Sequence, residues 1–561
     1  MVRKAEHPYE PLNKVNLKDL RTCLRGLGKM FTPKMRWKVV VSVLLGSVSI
    51  ACSLSYVAIS KRLVDIATGT IEGSIWKGVA VFVGIILVQL LTRIGSSYWN
   101  SYMTMKCANE MRMEKFSHVI GSKWTGKDSF HSGDTINRLE EDIRVVNDVL
   151  CGKVPDLIIT IIQLFASSIY LLNMAPRLLW VVVLLAVVAV VGSRMYFGTL
   201  RRLTAIIRRR ESEVQQHMQE NLQSRVLVLT LIGAQRVADR LGWLQGEVES
   251  NTVRRLNYNA VARGFMNFGF LSGSAAAFLW GIFGIRAGTV TYGMMTAFLQ
   301  LVSQVQRPIA EISRQIPAFI HSLTSIERLM DLDDLPEEEV GDPIMISGAP
   351  GIRIENLSFT YPDGYGPVLD NLCYDFAPGT MTVIMGPTGA GKSTLIRLVL
   401  GLLEPQKGSV TIYSEDGVSV KSGSLTRGNF MYVPQGNSLM SGTIRDNLLL
   451  ADPEATEEKM KKALEISAAS FVLDLPDGLD TVCGEDGGGL SEGQCQRIAI
   501  ARALLQKGGV LILDESTSAL DGATEEALLQ NLNREYHGKR TILFISHREA
   551  VSKFADGSLY V

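Results

Sequence analysis

The 561-residue sequence has no C-x-x-C pair, and its seven cysteines are scattered. That argues against a zinc site or a disulfide framework and fits a reducing compartment. Net charge is nearly absent too. Lys+Arg number 57 against 56 Asp+Glu, a formal +1, so whole-chain electrostatics gives no footing to a nucleic-acid binder. Charged residues are only 20% and hydrophobic ones 47%, which is too apolar for a disordered chain and points to membrane segments. A cleavable secretory leader is not expected, because the stretch ahead of the first apolar run is too long and no small-residue cleavage site stands out.

The apolar residues are concentrated in the first three-fifths of the chain. Val39 to Ile59 is an uncharged run of about 21 residues, long enough at 1.5 Å per residue to cross a hydrocarbon core. Five further runs come after it: Val79 to Leu91 with its flanks, Val154 to Leu172, Leu178 to Ser193, Phe265 to Ile285, and Met294 to about Val305 extending to Leu323. Six spans are therefore expected. Lys29, Lys34, Arg36 and Lys38 precede the first, which puts the N-terminus in the cytoplasm by the positive-inside bias. Leu17 to Met30 reads as a basic amphipathic helix at the interface. Short outer loops then fall near Asp65 to Lys77, Asn173 to Arg177 and Arg286 to Tyr292, and two long inner loops near 98–150 and 195–263. The second inner loop carries Arg201, Arg208, Arg225, Arg240 and Arg255 among others. Leucine and valine recur between them at helical spacing, so a solvated helix face accounts for the charge without RNA.

Polarity changes after the sixth span. Asp331 to Pro350, with Glu337, Glu338 and Glu339 and breakers at Pro336, Pro343 and Gly348, reads as a linker. The expected domains are a basic segment at 1–36, a membrane domain at 37–328, a linker at 329–350 and a more polar C-terminal domain at 351–561. In the last, Val/Ile-rich runs such as Met381 to Met385, Val510 to Leu513 and Thr541 to Ile545 alternate with helical patterns, the signature of an α/β domain with parallel strands.

Met381 to Met385 reads as a buried strand and leads into Gly386-Pro387-Thr388-Gly389-Ala390-Gly391-Lys392-Ser393-Thr394 and a helical run. A polyphosphate needs many donors and little bulk. The glycines let backbone N–H groups curl around it, and the helix N-terminus adds positive potential. Lys392 is expected to reach the β and γ phosphates, and the Ser393 hydroxyl to ligate Mg²⁺. VLILDE at Val510 to Glu515 supplies a central strand ending in two carboxylates: Asp514 for the Mg²⁺ shell, Glu515 to polarise the attacking water as general base.

With those two motifs in place the chain resembles the ATP-binding cassette transporters over nearly its whole length. The resemblance implies an all-α six-helix transmembrane domain joined to an α/β P-loop NTPase cassette, an exporter-type half-transporter using ATP and Mg²⁺. It places Tyr361 of FTYPDG against adenine and gives Gln435 of YVPQ a role beside Mg²⁺ and the membrane domain. Ser491, Gly493 and Gln494 of LSEGQ become the signature that meets nucleotide from the opposite subunit, Asp521 the D-loop acid, and His547 the switch that contacts γ-phosphate. Glu485 falls in a loop that the family directs to coupling helices, and Phe130 to Asp142 resembles the first intracellular loop.

One cassette cannot close its own site, so the resemblance implies a dimer: a second copy of this chain, or a related half-transporter. Two departures stand out. Glu492 replaces the glycine usual in the third signature position, adding negative charge near bound phosphates, and the chain ends soon after His547. Export by alternating access is the expected function, in a bilayer expected to be a bacterial inner membrane. A heterodimer subunit, an ATP-gated or regulatory protein, and import remain alternatives. Trp280, Arg286, Gln300 and Gln304 are candidates to face a cavity, and no peptidase-like segment is seen at the N-terminus. An amphipathic small molecule, a lipid or a peptide are all compatible as cargo.

Overall fold

The computed structural model describes residue 28 and residues 31–124, 132–194, 197–231, 233–361, 366–484, 487–546 and 548–561. The amphipathic segment expected at Leu17 to Met30 lies, but for Gly28, outside the described residues, as do Glu485 and His547. The chain divides into two compact units. One comprises residues up to 117 with 132–334, and the other 118–131 with 335–561.

Each of the six apolar runs falls on its own helix: α1 (Pro33–Ala67), α2 (Ile75–Ile120), α3 (Val154–Met174), α4 (Pro176–Arg194), then, after the polar α5 (Phe197–Gln223), α6 (Ala234–Arg286) and α7 (Tyr292–Asp333). Start signals are local. Thr32 caps α1 by accepting from the Met35 N–H with Pro33 in the first turn, and Thr291 caps α7 by accepting from Met294 at 3.1 Å; both satisfy N–H groups that a helix start leaves open. Pro33–Ala67, Ile75–Ile120, the continuous stretch Asp134–Met174 and Ala234–Arg286 are long and apolar enough to cross a membrane. At 1.5 Å per residue the 53 residues of α6 reach about 80 Å, well over twice a hydrocarbon core of ~30 Å. In α2 and α6 helix length therefore far outruns the apolar run, whereas of the other two expected spans α4 holds a shorter apolar helix, Pro176–Gly192, and α7 falls short of that combination of length and apolarity.

Small residues set the packing. Along α6, Ala262, Gly269, Gly273, Ala277 and Gly281 are buried at intervals of four or seven, a stripe that lets neighbouring backbones approach. A Cβ on Gly269 would lie 2.3 Å from the Ala189 Cβ of α4, and one on Gly46 of α1 would lie 2.4 Å from Ile159 of α3. Around this stripe Val57, Leu171, Leu178, Val182, Phe298, Leu301 and Val305 form an apolar core. Of the arginines named in the second long loop, Arg225 opens a short helix of its own, Arg225–Thr230, and the others ride on α5 and α6, where Arg210 pairs with Glu213 at 2.7 Å and Arg240 lies over Trp243.

The second unit is an α/β domain with a parallel five-stranded sheet at its centre and an antiparallel four-stranded sheet beside it. The antiparallel sheet contains β1 (Gly351–Phe359), β2 (Leu369–Phe376), β4 (Lys407–Tyr413) and β5 (Ser419–Lys421) in the order β2-β1-β4-β5. The parallel sheet contains β3 (Met381–Met385), β6 (Phe430–Val433), β7 (Val510–Asp514), β8 (Thr541–Ile545) and β9 (Gly557–Tyr560) in the order β9-β3-β8-β7-β6. Every residue of β7 and β8 is buried, as expected of strands covered on both faces. Because all five run parallel, their C-terminal ends open on one edge, where ligands of such sheets bind. Cys107, Cys151, Cys483 and Cys495 are buried without disulfides, whereas Cys373 is exposed.

Candidate nucleotide site

That edge gathers the chemistry found in sequence. The phosphate loop follows β3, Gln435 follows β6, and Asp514 and Glu515 end β7; His547 follows β8 in sequence but lies outside the described residues. In the loop, Gly386, Gly389 and Gly391 hold φ of 152°, 87° and 98°, a region where a side chain is strained. At Gly391 space is short as well, since a Cβ would meet Val368 at 2.9 Å. Ala390 donates its N–H to the Pro387 carbonyl at 3.2 Å, and Gly391 begins α8 (Lys392–Val399). Lys392 is buried, and its Nζ donates to the carbonyls of Gly386 and Pro387 at 2.9 and 3.0 Å. The ammonium thus sits inside the loop, held by acceptors that a polyphosphate would replace. The turn is completed by Thr388.

Asp514 is 2% exposed. Its Oδ2 accepts from the Tyr432 hydroxyl at 3.4 Å, while its Oδ1 is buried with no hydrogen-bond partner. Burial, reinforced by the Glu515 charge, pushes the carboxyl pKa up to about 6, and burial together with Asp514 raises the Tyr432 phenol. A buried carboxylate oxygen without a donor is costly, and a hard cation is the group it fits. With the Ser393 hydroxyl at the start of α8, this donor set suits Mg²⁺, which neutralises phosphate charge when bound.

Glu515 comes next on a backbone at φ 48°, strained for any residue but glycine. That turn separates its side chain from that of Asp514, and Gln435 Nε2 donates to Glu515 Oε2 at 2.7 Å. Gln435 and the candidate base are thus in direct contact.

Tyr361 packs edge-on against Phe359, and its hydroxyl lies 3.3 Å from Thr394 Oγ1. Arg397 donates to that hydroxyl at 3.1 Å and stacks over Trp124 at 4.8 Å. Trp124 belongs to the short segment 118–124, which groups with the cassette although it interrupts the helical half in sequence. Lys123 in the same segment pairs with Glu404 at 2.8 Å, holding the Glu404 carboxyl below its usual range. Arg397, Trp124, Lys123 and Glu404 were not legible as site residues, because only folding brings positions some 270 residues apart together.

The signature residues sit at the start of α9 (Glu492–Leu504). Ser491 is its N-cap: its Oγ accepts from the Gln494 N–H, and the Gln494 side chain accepts from the Ser491 N–H, a reciprocal capping box. Gly493 is tight, since a Cβ would lie 2.8 Å from the Ala519 carbonyl. Glu492 occupies the first helical position, where the dipole favours an acid, so the charge that departs from the family pattern has a local reason to be tolerated. Gln496 ties this helix to the next loop, donating to Ser518 at 3.2 Å and accepting from the Ala519 N–H. Asp521 caps α10 (Gly522–Tyr536), taking the Thr524 N–H and hydroxyl at 2.9 and 2.8 Å. Its side chain has a structural task there, which its sequence position did not disclose. Arg548, next to His547 in sequence, is pinned at 2.7 Å to Glu525, which also accepts from Thr517.

Residues 369–518 match the ABC transporter family, and residues 39–309 match the ABC transporter transmembrane region. An ATP-dependent lipid A-core flippase of Vibrio cholerae is 28% identical over 534 residues, covering 93% of this chain and 90% of that one. A mycobactin import ATP-binding/permease protein of Mycobacterium bovis is 35% identical over 277 residues, covering 49% of this chain and 48% of that one. The structure of a bacterial Atm1-family ABC exporter with ATP bound is similar in fold, at a TM-score of 0.77 and 23% identity, covering 94% of this chain and 93% of that one. With a membrane region and an ATPase cassette fused in one multi-pass polypeptide, the chain belongs to the ATP-binding cassette transporters and couples ATP hydrolysis to transport.

Proposed function

We propose that the chain is one half of a dimeric exporter that moves an amphipathic or lipid-like small molecule, or a peptide, by alternating access. What supports this reading is that one cassette carries two separate helix N-termini suited to donate to phosphate. The loop Gly386 to Thr394 leads into one; the N-terminus of the helix beginning at Glu492 is the other. Two copies, or this chain and a related half-transporter, then enclose two ATP molecules, each between one loop and the opposite Ser491 and Gly493. ATP prefers the closed pair because closure adds donors, and only such differential affinity shifts a conformational equilibrium.

In this reading Lys392 holds the β and γ phosphates, Tyr361 stacks on adenine, and Ser393, Asp514 and Gln435 hold Mg²⁺. Glu515 takes the proton of the attacking water, His547 meets the γ-phosphate and Asp521 orders the dimer seam. The N-terminus and cassette lie in the cytoplasm of a bacterial inner membrane. The test is reconstitution: the purified chain in proteoliposomes should hydrolyse ATP as a dimer and move a fluorescent lipid to the opposite leaflet only with Mg-ATP, and Lys392→Ala should abolish both. Dimer-independent hydrolysis would contradict the composite site. Import is the second reading, favoured by the mycobactin relative; accumulation on the cassette side would select it.

A further inference from the structure

Three polar stripes converge inside the helical unit. On α2, Gln89, Arg93, Ser96 and Asn100 recur at intervals of four, three and four, one face of a helix. Ser42, Ser49 and Ser53 do the same on α1, and Asp156 and Gln163 on α3. Together they line a cavity of about 330 Å³. With the N-terminus cytoplasmic, Ser42, Arg93, Asn100 and Asp156 lie toward the cytoplasmic ends of their spans, and Ser49, Ser53 and Gln163 near mid-span.

Part of the lining is committed to holding helices together. Ser42 Oγ donates to Asn100 Oδ1 at 3.4 Å, and Gln304 Nε2 donates to Ser53 Oγ at 2.9 Å. The charged members are not. Among the described residues, the Arg93 guanidinium and the Asp156 carboxylate make no hydrogen bond or ion pair through their side chains, either with each other or with a neighbour. Arg93 is exposed and Asp156 half-buried, both at the cytoplasmic ends of their apolar runs, and ionisable side chains so close to the hydrocarbon either pair with one another or face a polar cavity. An arginine and an aspartate on one cavity, held apart and unpaired, are arranged instead around something that brings both opposite charges.

We propose that this cavity is a ligand site for a zwitterionic group, its anion on Arg93, its ammonium on Asp156, and its intervening polar atoms on Gln89, Ser49 and Gln163. The proposal rests on the transport reading above and narrows its cargo to zwitterions. The volume is at the low end for ligand pockets, ~300–1,000 Å³, so it takes a head group or a small solute rather than a whole lipid. Leu87, Val88, Leu90 and Leu91 on the same helix are exposed and offer an apolar path for chains left outside. A phosphoethanolamine head group and free phosphoethanolamine share the required chemistry.

The experiment measures binding to the full chain in an uncharged detergent without nucleotide, by thermal shift and by fluorescence of Trp99, which lines the cavity. Probes are short-chain phosphatidylethanolamine and free phosphoethanolamine, with short-chain phosphatidylglycerol (anion only) and octylamine (cation only) as comparators. At least one zwitterion should bind about tenfold tighter than either comparator, as a charge-assisted hydrogen bond supplies; which zwitterion binds tells lipid from solute. Arg93→Gln should erase the preference over octylamine, and Asp156→Asn the preference over phosphatidylglycerol. Equal binding of a single-charge probe to the parent chain, no saturable binding of either zwitterion, or full preference retained in Asp156→Asn would overturn it. Failure of the transport reading is separate and shows as no Mg-ATP hydrolysis by the parent chain.

Discussion

Replacing Glu515 by glutamine isolates proton acceptance from geometry unusually well. The residue sits at φ 48°, and glutamine has the same backbone preferences there, so folding cost should not change. Gln435 Nε2 donates to Glu515 Oε2 at 2.7 Å; a glutamine carbonyl accepts that bond equally, so the contact with Gln435 survives. What disappears is the ability to take a proton, together with the charge that helps hold the Asp514 pKa up. General-base catalysis is worth about 10²–10⁴-fold, or ~2.7–5.5 kcal/mol of barrier. We therefore expect Glu515→Gln to bind ATP with parental affinity, to hydrolyse it at least about a hundredfold more slowly, and to accumulate as a closed dimer. Phosphate release and fluorescent-nucleotide titration measure the first two, and cysteine crosslinking across the dimer the third. Gln435→Ala is the companion, removing the Gln435 contact while leaving the base intact. Hydrolysis by Glu515→Gln within twofold of the parent rate would refute the base assignment.

Asp514 gives a pH prediction. Its pKa rises from 3.8 to about 6 on folding, so between those values the folded state holds a proton the unfolded chain lacks, and stability falls as pH rises through that window. The shift corresponds to ~3 kcal/mol by pH 7; Asp514→Asn should thus melt several degrees higher than the metal-free parent at pH 7.5, with the gain vanishing near pH 4, and identical melting profiles would refute this. Arg397 links the Tyr361 hydroxyl to Trp124, so a double-mutant cycle of Arg397→Ala and Trp124→Ala should show a coupling of about 0.5–1 kcal/mol in nucleotide affinity; strict additivity would dissociate the pair. For Glu492→Gly, removing a charge from the donor end of the signature helix should tighten ATP in the closed dimer by up to about tenfold at low salt, the gain shrinking as salt rises; a salt-independent effect would exclude an electrostatic cause.

The phosphate loop, the paired carboxylates and the apolar runs were legible in the sequence because each is local. Strand, loop and helix in that order place N–H groups around a phosphate whatever the rest of the chain does, and an apolar run must avoid water in any fold. Helix ends belong to the same class: Thr32, Thr291 and Ser491 each cap a helix through an N–H only three residues away. Tertiary structure decided what depends on distant partners. It left one Asp514 oxygen without a donor, grouped residues 118–124 with the cassette, and faced Arg93 and Asp156 onto one cavity. Spacing alone predicts none of these, because burial and pairing are properties of the neighbours that folding supplies, and those neighbours lie tens to hundreds of residues away.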